Sequence, residues 1–431
     1  MNIKKILIVI IWFNLICSTF CQWIQYSTGL GSDKYIYSLA NIENNIIAGI
    51  SNIPSGFGGA YVSTNNGQTW SQTLNNRMVY CLATLGDYIF AGTHTYYYPS
   101  GIFFTTNNGL NWTQTTMNDE EVFSLAISEN KIYAGTLNNG VFFSTNFGLN
   151  WIQTALNDKD IYSLAISGNN VYAGTYYHSI YVSTDNGVNW SQRLLYNQSN
   201  IYSIAVSGNN IYAGTNGNGV YISTNNGLNW SQTALNHQEI RTIVIYGDYV
   251  FAGSIENGVY LSTNNGLTWS QKNEGWNSIP PINTLHIANN YIFAGTRYSS
   301  VWRRQLHEVV GIKNISISLP LIFSLSQNYP NPFNPQTKIK FSIPLSRGVT
   351  AEGGRGVFVS LIIYDLLGRE VTTLVNEELK PGTYEADWDG SGYSSGVYFY
   401  KLVVGDPWTT AEAVNSSGRG FVETKKMVLM K

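Results

Sequence analysis

Ile161-Tyr-Ser-Leu-Ala-Ile166, Asn170-Val-Tyr-Ala-Gly174, Ile180-Tyr-Val-Ser183 and Ser183-Thr-Asp-Asn-Gly-Val-Asn-Trp190 lie within 30 residues of one another, and this stretch decides the fold. Its first three runs are short and rich in β-branched and aromatic residues, and Gly and Asn separate them. That pattern reads as successive β-strands. Ser-Gly-Asn-Asn at 167–170 links the first two tightly. Asn186-Gly187 supplies the positive φ values that a primed hairpin turn requires. Trp190-Ser-Gln192 then reads as a fourth strand.

The same unit recurs along the chain. Ala-Gly followed by Thr, Ser or Ile begins at Ala48, Ala91, Ala134, Ala173, Ala213, Ala252 and Ala294. A turn ending in tryptophan recurs at Trp70, Trp112, Trp151, Trp190, Trp230 and Trp269, every 39 to 42 residues. Four-strand units of this length suit a β-propeller, which typically has four to eight blades. The absence of a 3.6-residue apolar period excludes a helical solenoid. The last unit has three strands, Ile282–Ile287, Tyr291–Gly295 and Ser300–Arg303, but no tryptophan strand, whereas Trp23-Ile-Gln25 is a tryptophan strand with no unit before it. Joining the two ends predicts an all-β, seven-bladed propeller over residues 22–305, its last blade closed by the N-terminal strand so that no sheet edge stays open.

The turns follow Ser/Thr-x-Asp-x-Gly-x-x-Trp, complete at Ser183/Asp185/Gly187/Trp190. Asn replaces Asp at Ser63/Asn65/Gly67/Trp70, Thr105/Asn107/Gly109/Trp112, Ser144/Asn146/Gly148/Trp151, Ser223/Asn225/Gly227/Trp230 and Ser262/Asn264/Gly266/Trp269. On these residues the segment resembles the Asp-box, or BNR, repeat propellers of the sialidase, sortilin and photosystem-assembly-factor type. The box itself has a structural role, with Asp or Asn capping turn N–H groups. Sialidase chemistry would need an arginine triad, an Arg-Ile-Pro motif and a Tyr/Glu pair. The propeller segment holds Arg77, Arg193, Arg241, Arg297, Arg303 and Arg304, and no Arg-Ile-Pro. Its 14 acids, from Asp33 to Glu274, include the loop groups Asp119-Glu120-Glu121 and Asp158/Asp160, without a clear carboxylate pair of the kind glycosidases use. No catalytic, cofactor-binding or metal-binding residue is assigned. His94 and His178 stand two units apart with no carboxylate near them in sequence, a poor metal set.

Composition narrows the partner. Lys+Arg 24 against Asp+Glu 26 gives a net charge of −2, which argues against a nucleic-acid binder. Charged residues make up only 12% of the chain while aromatics reach 14%. The loops joining strands two to three, and those joining a tryptophan strand to the next blade, lie on one face of such a propeller. They vary between units, as a binding face does. Their candidate ligand-binding residues are His94, Tyr96, Tyr97, Tyr98, Tyr176, Tyr177, His178, Trp276, Arg297 and Tyr298. Exposed aromatics with few charges suit stacking on sugar rings or a protein hot spot.

The chain ends frame this domain. Lys4 and Lys5 precede an apolar run from Ile6 to Ile16 and the small polar stretch Cys17-Ser18-Thr19, the layout of a secretory signal peptide over residues 1–21 and too short for a membrane span. A lipid anchor on Cys17 or Cys21 is the alternative. Cleavage after Cys21 leaves Cys81 alone, on an apolar strand, so no intramolecular disulfide forms. Residues 306–327 read as a linker. Beyond them, Asn328-Tyr329-Pro330-Asn331-Pro332-Phe333-Asn334-Pro335 precedes strands at Lys338–Ile343, Phe358–Tyr364, Gly382–Trp388, Gly396–Val404 and Phe421–Met430, a small antiparallel β-sandwich of Ig-like type.

With Tyr364-Asp-Leu-Leu-Gly368-Arg-Glu370, Ser395-Gly396-Val-Tyr-Phe-Tyr400 and the basic ending that holds Lys425 and Lys426, residues 328–431 resemble the type A C-terminal sorting domain of the type IX secretion system. The resemblance implies passage through the periplasm and outer membrane, with the secretion machinery as partner, then release or attachment at the cell surface. Residues 347–356 and 407–420 interrupt connections that are short in that family. The combined reading is an exported, non-catalytic binding module for a glycan or an extracellular protein. A glycoside hydrolase and a protein-assembly scaffold are the rival readings.

Overall fold

The computed structural model describes residues 22–31, 34–52, 57–95, 100–176, 179–194, 199–298, 300–310, 313–316, 320–344, 357–379, 381–390, 393–405 and 421–430. The chain divides into two compact units, Met1–Arg304 and Gln305–Lys431. The expected signal peptide and both interrupting segments of the second unit fall outside the described residues.

The first unit is a β-propeller, with seven four-stranded antiparallel sheets among the described residues. In the fourth, Ile161–Ser167, Asn170–Thr175, Ser179–Ser183 and Ser191–Leu194 pair in sequence order. The first strand of each sheet packs against the first strand of the next: Tyr35–Ile42, Met78–Leu85, Val122–Ser128, Ile161–Ser167, Ile201–Ser207, Ile240–Tyr246 and Ile282–Ala288. The last of these packs in turn on Tyr35–Ile42, which closes the circle. These seven strands are the inner wall. The short tryptophan-led strands form the outer rim, where Ser231–Gln232 and Ser270–Gln271 are exposed.

Second strands carry the Ala-Gly runs because neighbouring blades meet there. A β-carbon on Gly174 would lie 2.4 Å from Ser163 Oγ and 2.6 Å from Cγ2 of Ile201 on the next inner strand. The same intimacy joins the last blade to the first, where a β-carbon on Gly295 would lie 2.6 Å from Ile36 Cγ2.

The closing sheet takes its outer strand from the start of the described chain. Ile24–Tyr26 pairs antiparallel with Val301–Gln305, Ile24 opposite Arg303 and Tyr26 opposite Val301. Trp23 is buried; its indole N–H donates to Lys272 O at 2.6 Å and its amide to Glu274 O at 2.9 Å. The Arg303 guanidinium lies between the rings of Tyr26, at 4.4 Å, and Tyr291, at 4.3 Å. It donates to the carbonyl of Asn66 in the first blade's turn and to Tyr26 Oη.

Six Asp-box turns repeat one hydrogen-bond set. Ser183 Oγ donates to Asp185 Oδ1 at 2.7 Å and accepts from Gly187 N at 2.8 Å, and Asp185 Oδ1 accepts from Asn189 N at 2.9 Å. Where Asn replaces Asp its amide oxygen does the same work, as in Ser63/Asn65/Gly67/Thr69. Asn186 and Gly187 have φ of 58° and 85°. The positive φ values are as expected, but the connection is not a two-residue hairpin: the strand stops at Ser183 and resumes at Ser191. Side-chain hydrogen bonds substitute for ladder bonds across that gap. The preceding blade props the turn, Tyr133 Oη donating to Asn186 O at 3.0 Å.

The second unit contains two four-stranded sheets. One orders Lys313–Ser316, Gly382–Asp389, Gln336–Ile343 and Ser324–Leu325; the other orders Glu370–Leu379, Val357–Tyr364, Gly396–Val404 and Phe421–Leu429. Residues 306–327 are therefore no plain linker: they supply a short helix, Leu306–Val310, and two strands of the first sheet. Glu370–Leu379 is a strand that the sequence reading lacked. The proline-rich motif is strapped to the final strand. Phe333 is buried, its N–H donates to Val428 O, and its carbonyl accepts from Met430 N. Asn331 Oδ1 accepts from Val428 N. Buried Asn328 donates from its amide to Tyr400 Oη and from Nδ2 to Pro330 O and Thr337 Oγ1. Tyr329 is exposed and Pro332 follows Asn331 through a cis bond. Gly396 opens its strand, Gly368 adopts φ 76°, Lys425 pairs with Glu423 at 2.9 Å, and Lys426 is exposed.

Candidate functional site: the aromatic mouth of the propeller

Every inner strand carries a register shift near its start. Ile161 pairs with Thr175 and Ser163 with Gly174, so Tyr162 is an extra residue with no partner of its own. The same shift brackets Tyr37, Tyr80, Phe123, Tyr202, Arg241 and Asn283. Such bulges re-aim a side chain. Here they bring Tyr37, Tyr80, Phe123, Tyr162, Tyr202 and Arg241 into one continuous arc. Ring centroids run Tyr37–Tyr80 4.5 Å, Tyr80–Phe123 4.8 Å, Phe123–Tyr162 5.2 Å and Tyr162–Tyr202 6.0 Å. Arg241 continues the circuit, its Cζ 3.8 Å from the Tyr202 centroid. All five aromatics are half-buried.

The variable loops stand over this arc. The amides of Leu137, Tyr176, Asn216, Ile255 and Arg297 donate to the carbonyls of Glu121, Asp160, Asn200, Glu239 and Pro281, which ties each strand-two-to-three loop to the connection entering its own blade. His94, Tyr176 and Arg297 hold the same position, the residue after Ala-Gly-Thr, in three blades. His94 contacts Tyr80 and Phe123, Tyr176 stacks on Tyr162 at 5.4 Å, and Arg297 Nε donates to Asn283 Oδ1 at 3.2 Å. Exposed Tyr298 meets Tyr35 edge-on at 4.8 Å, and Tyr35 neighbours Tyr37.

Four sequence-derived candidates, His94, Tyr176, Arg297 and Tyr298, thus converge on one mouth. Tyr96, Tyr97, Tyr98, Tyr177 and His178 lie outside the described residues. Trp276 belongs elsewhere: it stacks on Trp23 at 4.9 Å and meets Trp302 edge-on, as part of the closing seam. The bulge residues themselves were missed because each reads as an ordinary strand residue. Their signal was an aromatic recurring after an aliphatic residue near the start of the inner strand, as in Val-Tyr80-Cys, Val-Phe123-Ser, Ile-Tyr162-Ser and Ile-Tyr202-Ser.

Three acids of this face, Glu121, Asp160 and Glu239, are already engaged. Glu121 Oε2 lies 3.0 Å from His94 Nδ1, so a carboxylate does stand beside that histidine, contrary to its sequence surroundings. Asp160 Oδ1 accepts from Asn138 N at 2.8 Å, and Glu239 Oε1 accepts from Arg241 Nε at 2.6 Å. Among the described residues no three His, Cys, Asp or Glu side chains group to hold a metal ion. Burial pushes the Tyr162 hydroxyl up to about 12. Burial also raises Tyr37, against the pull of Arg297 and Arg241, which share its surroundings. The mouth therefore offers neutral phenols and ring faces, with two guanidinium groups on one arc.

Residues 327–414 match the family of secretion system C-terminal sorting domains, and residues 61–72 and 181–192 match the BNR/Asp-box repeat. No curated protein matches the chain. Among solved structures it is similar to YCF48 bound to D1 peptide (14% identity, TM-score 0.53, covering 66% of this chain and 94% of that one). It is also similar to PorZ, an essential bacterial surface component of the type IX secretion system of Porphyromonas gingivalis (15%, 0.50, 92% and 59%). A third is the GH74 xyloglucanase from Xanthomonas campestris (13%, 0.52, 74% and 59%). At these identities the likeness concerns the fold. The chain carries Asp-box repeats on a propeller and a type IX sorting domain, which directs export to the cell surface or beyond. Among the described residues no helix is long and apolar enough to cross a membrane.

Proposed function

We propose that the exported propeller is a non-catalytic binding module whose ligand, a glycan, seats on the aromatic mouth. The unbroken run of four ring contacts from Tyr37 to Tyr202, made by re-aimed side chains of consecutive blades, carries this reading. Sugar rings present C–H faces to aromatic planes and hydroxyls to phenols, and concave sites with a few convergent polar groups are where small ligands bind. The engaged state of Glu121, Asp160 and Glu239 favours binding over acid–base hydrolysis, which needs a carboxyl group free to exchange protons with substrate. In this reading residues 1–21 direct entry to the periplasm and residues 328–431 direct export. A peptide ligand is the second reading, favoured by the similarity to YCF48 in complex with a peptide.

The test is retention on a glycan array by the secreted protein and by a Tyr80→Ala/Tyr162→Ala variant. Each lost stack is worth about 1 kcal/mol, so the pair should weaken retention on the order of tenfold or more, with the fold kept by circular dichroism. Unchanged retention, or none by the parent protein, rejects the glycan reading. Release of reducing ends from a polysaccharide panel would favour the hydrolase instead.

A further inference from the structure

The second unit carries an apolar feature that its own core does not use. Strand Val357–Tyr364 turns into Glu370–Leu379 through Asp365-Leu366-Leu367-Gly368-Arg369, and the two leucines at the tip are 69% and 76% exposed. Their turn is held firmly. Asp365 Oδ1 accepts from the amides of Leu367 and Arg369, both at 2.9 Å, and Asp365 Oδ2 accepts from Arg369 Nε at 2.7 Å. Gly368, at φ 76°, donates its amide to Asp365 O. Two leucines fixed in water cost solubility and gain nothing inside the fold.

Beside them lies a hollow of about 360 Å³ on the outer side of the sheet, lined by Tyr364, Leu366, Phe399, Lys401, Thr424 and the turn residues Asp365 and Gly368, the Asp365 carboxylate being taken by Arg369. Tyr364 pairs with Phe399, and Lys401 with Thr424, on three adjacent strands. The core takes the alternate residues Val359, Leu361, Ile363, Tyr400 and Leu402, so Tyr364 and Phe399 point outward by strand alternation. Lys426 stands opposite Phe399, and neither Lys401 nor Lys426 forms an ion pair among the described residues. An aromatic floor, a rigid apolar tip and two available cations compose a surface for an apolar side chain flanked by carboxylates.

We propose that the Leu366–Leu367 turn and this hollow are the docking surface by which the secretion machinery grips the sorting domain, and that the partner is a protein component offering an apolar anchor beside acidic groups. A sorting domain needs a face that a receptor reads, and preorganised turns bind at little ordering cost. The family match establishes the need for a partner; the turn and hollow supply its place.

The experiment follows the full-length protein in the producing bacterium, comparing the amount outside the cell or on its surface with the amount in the periplasm. Leu366→Lys/Leu367→Lys should lower the exported fraction tenfold or more and leave folded protein in the periplasm. Lys401→Glu/Lys426→Glu should lower it severalfold. Leu321→Lys/Ile322→Lys, which alters two residues 94% and 72% exposed in the same unit, should export at the parental level. Thermal unfolding of the periplasmic protein checks folding, and Leu366→Ser/Leu367→Ser replaces the lysine pair if that pair fails to accumulate. Parental export of the leucine-turn variant overturns the proposal, as does an equal loss in the Leu321/Ile322 control. So does a self-associating parent that the leucine substitutions merely disperse, since that would assign the surface to a second copy.

Discussion

His286 shows how much a single position in the inner wall is governed by its surroundings. Its Nε2 lies 2.9 Å from Asn41 Oδ1 on the first blade's inner strand, and burial holds its imidazole down to about 4. The unfolded chain takes up that proton near the ordinary value of 6.5, before the folded protein does, so protonation favours unfolding between those limits. Stability should therefore fall as pH drops from about 6.5 toward 4. A His286→Gln variant keeps a polar partner for Asn41 and removes the titration. Its thermal midpoint should change less than the parent's across this window; parallel curves would show that His286 does not titrate in that range. Cys81 is governed in the same way: burial raises its thiol, which lies 3.7 Å from Val122 O, so it packs as a small apolar side chain and is a poor nucleophile.

At the scale of elements, repetition made the strands and the boxes legible, since one unit read correctly gives the others. Ser, Asp or Asn and Gly at fixed spacing sufficed for the turns because their hydrogen bonds are local. The bulges were not legible. They sit where the Ala-Gly pair of a second strand meets the next blade's first strand, a contact well outside the local unit, as between Gly174 and Ile201. The mouth was half legible for the same reason. His94, Tyr176 and Arg297 announce themselves in loops, while Tyr37, Tyr80, Phe123, Tyr162 and Tyr202 look like strand residues until the extra residue turns them. Trp276 misled because an aromatic in a variable loop has the same sequence appearance whether it meets a ligand or a neighbouring indole. Gly174→Ala tests the interblade contact directly. Its methyl group would press on Ser163 and Ile201, and overpacking of this kind costs about 1–3 kcal/mol. The expected readout is a lower midpoint in urea with unchanged slope; an unchanged midpoint would mean that the blades yield at that seam.

For the first unit as a whole, the decisive contact is the closing sheet. Trp23 is 2% exposed, bonded to Lys272 and stacked on Trp276, and Arg303 reaches from that sheet to Asn66 in the first blade. Trp23→Ala should destabilise the propeller by about 3–5 kcal/mol, the usual cost of emptying a site of that size. Chemical denaturation and protease sensitivity at the Ile24–Tyr26 strand would register the loss. A variant as resistant as the parent would mean that the other six sheets hold the ring without it.

Tyr26 and Arg303 are 277 residues apart in the chain, yet they touch. Contacts so distant in sequence form slowly, because loop-closure entropy must be overcome before they give anything back. The opening strand leaves the ribosome first and has no mate until every other sheet has emerged. Until Val301–Gln305 has been made, the first and last blades have no partner for each other, so the ring shuts only as a late, single event.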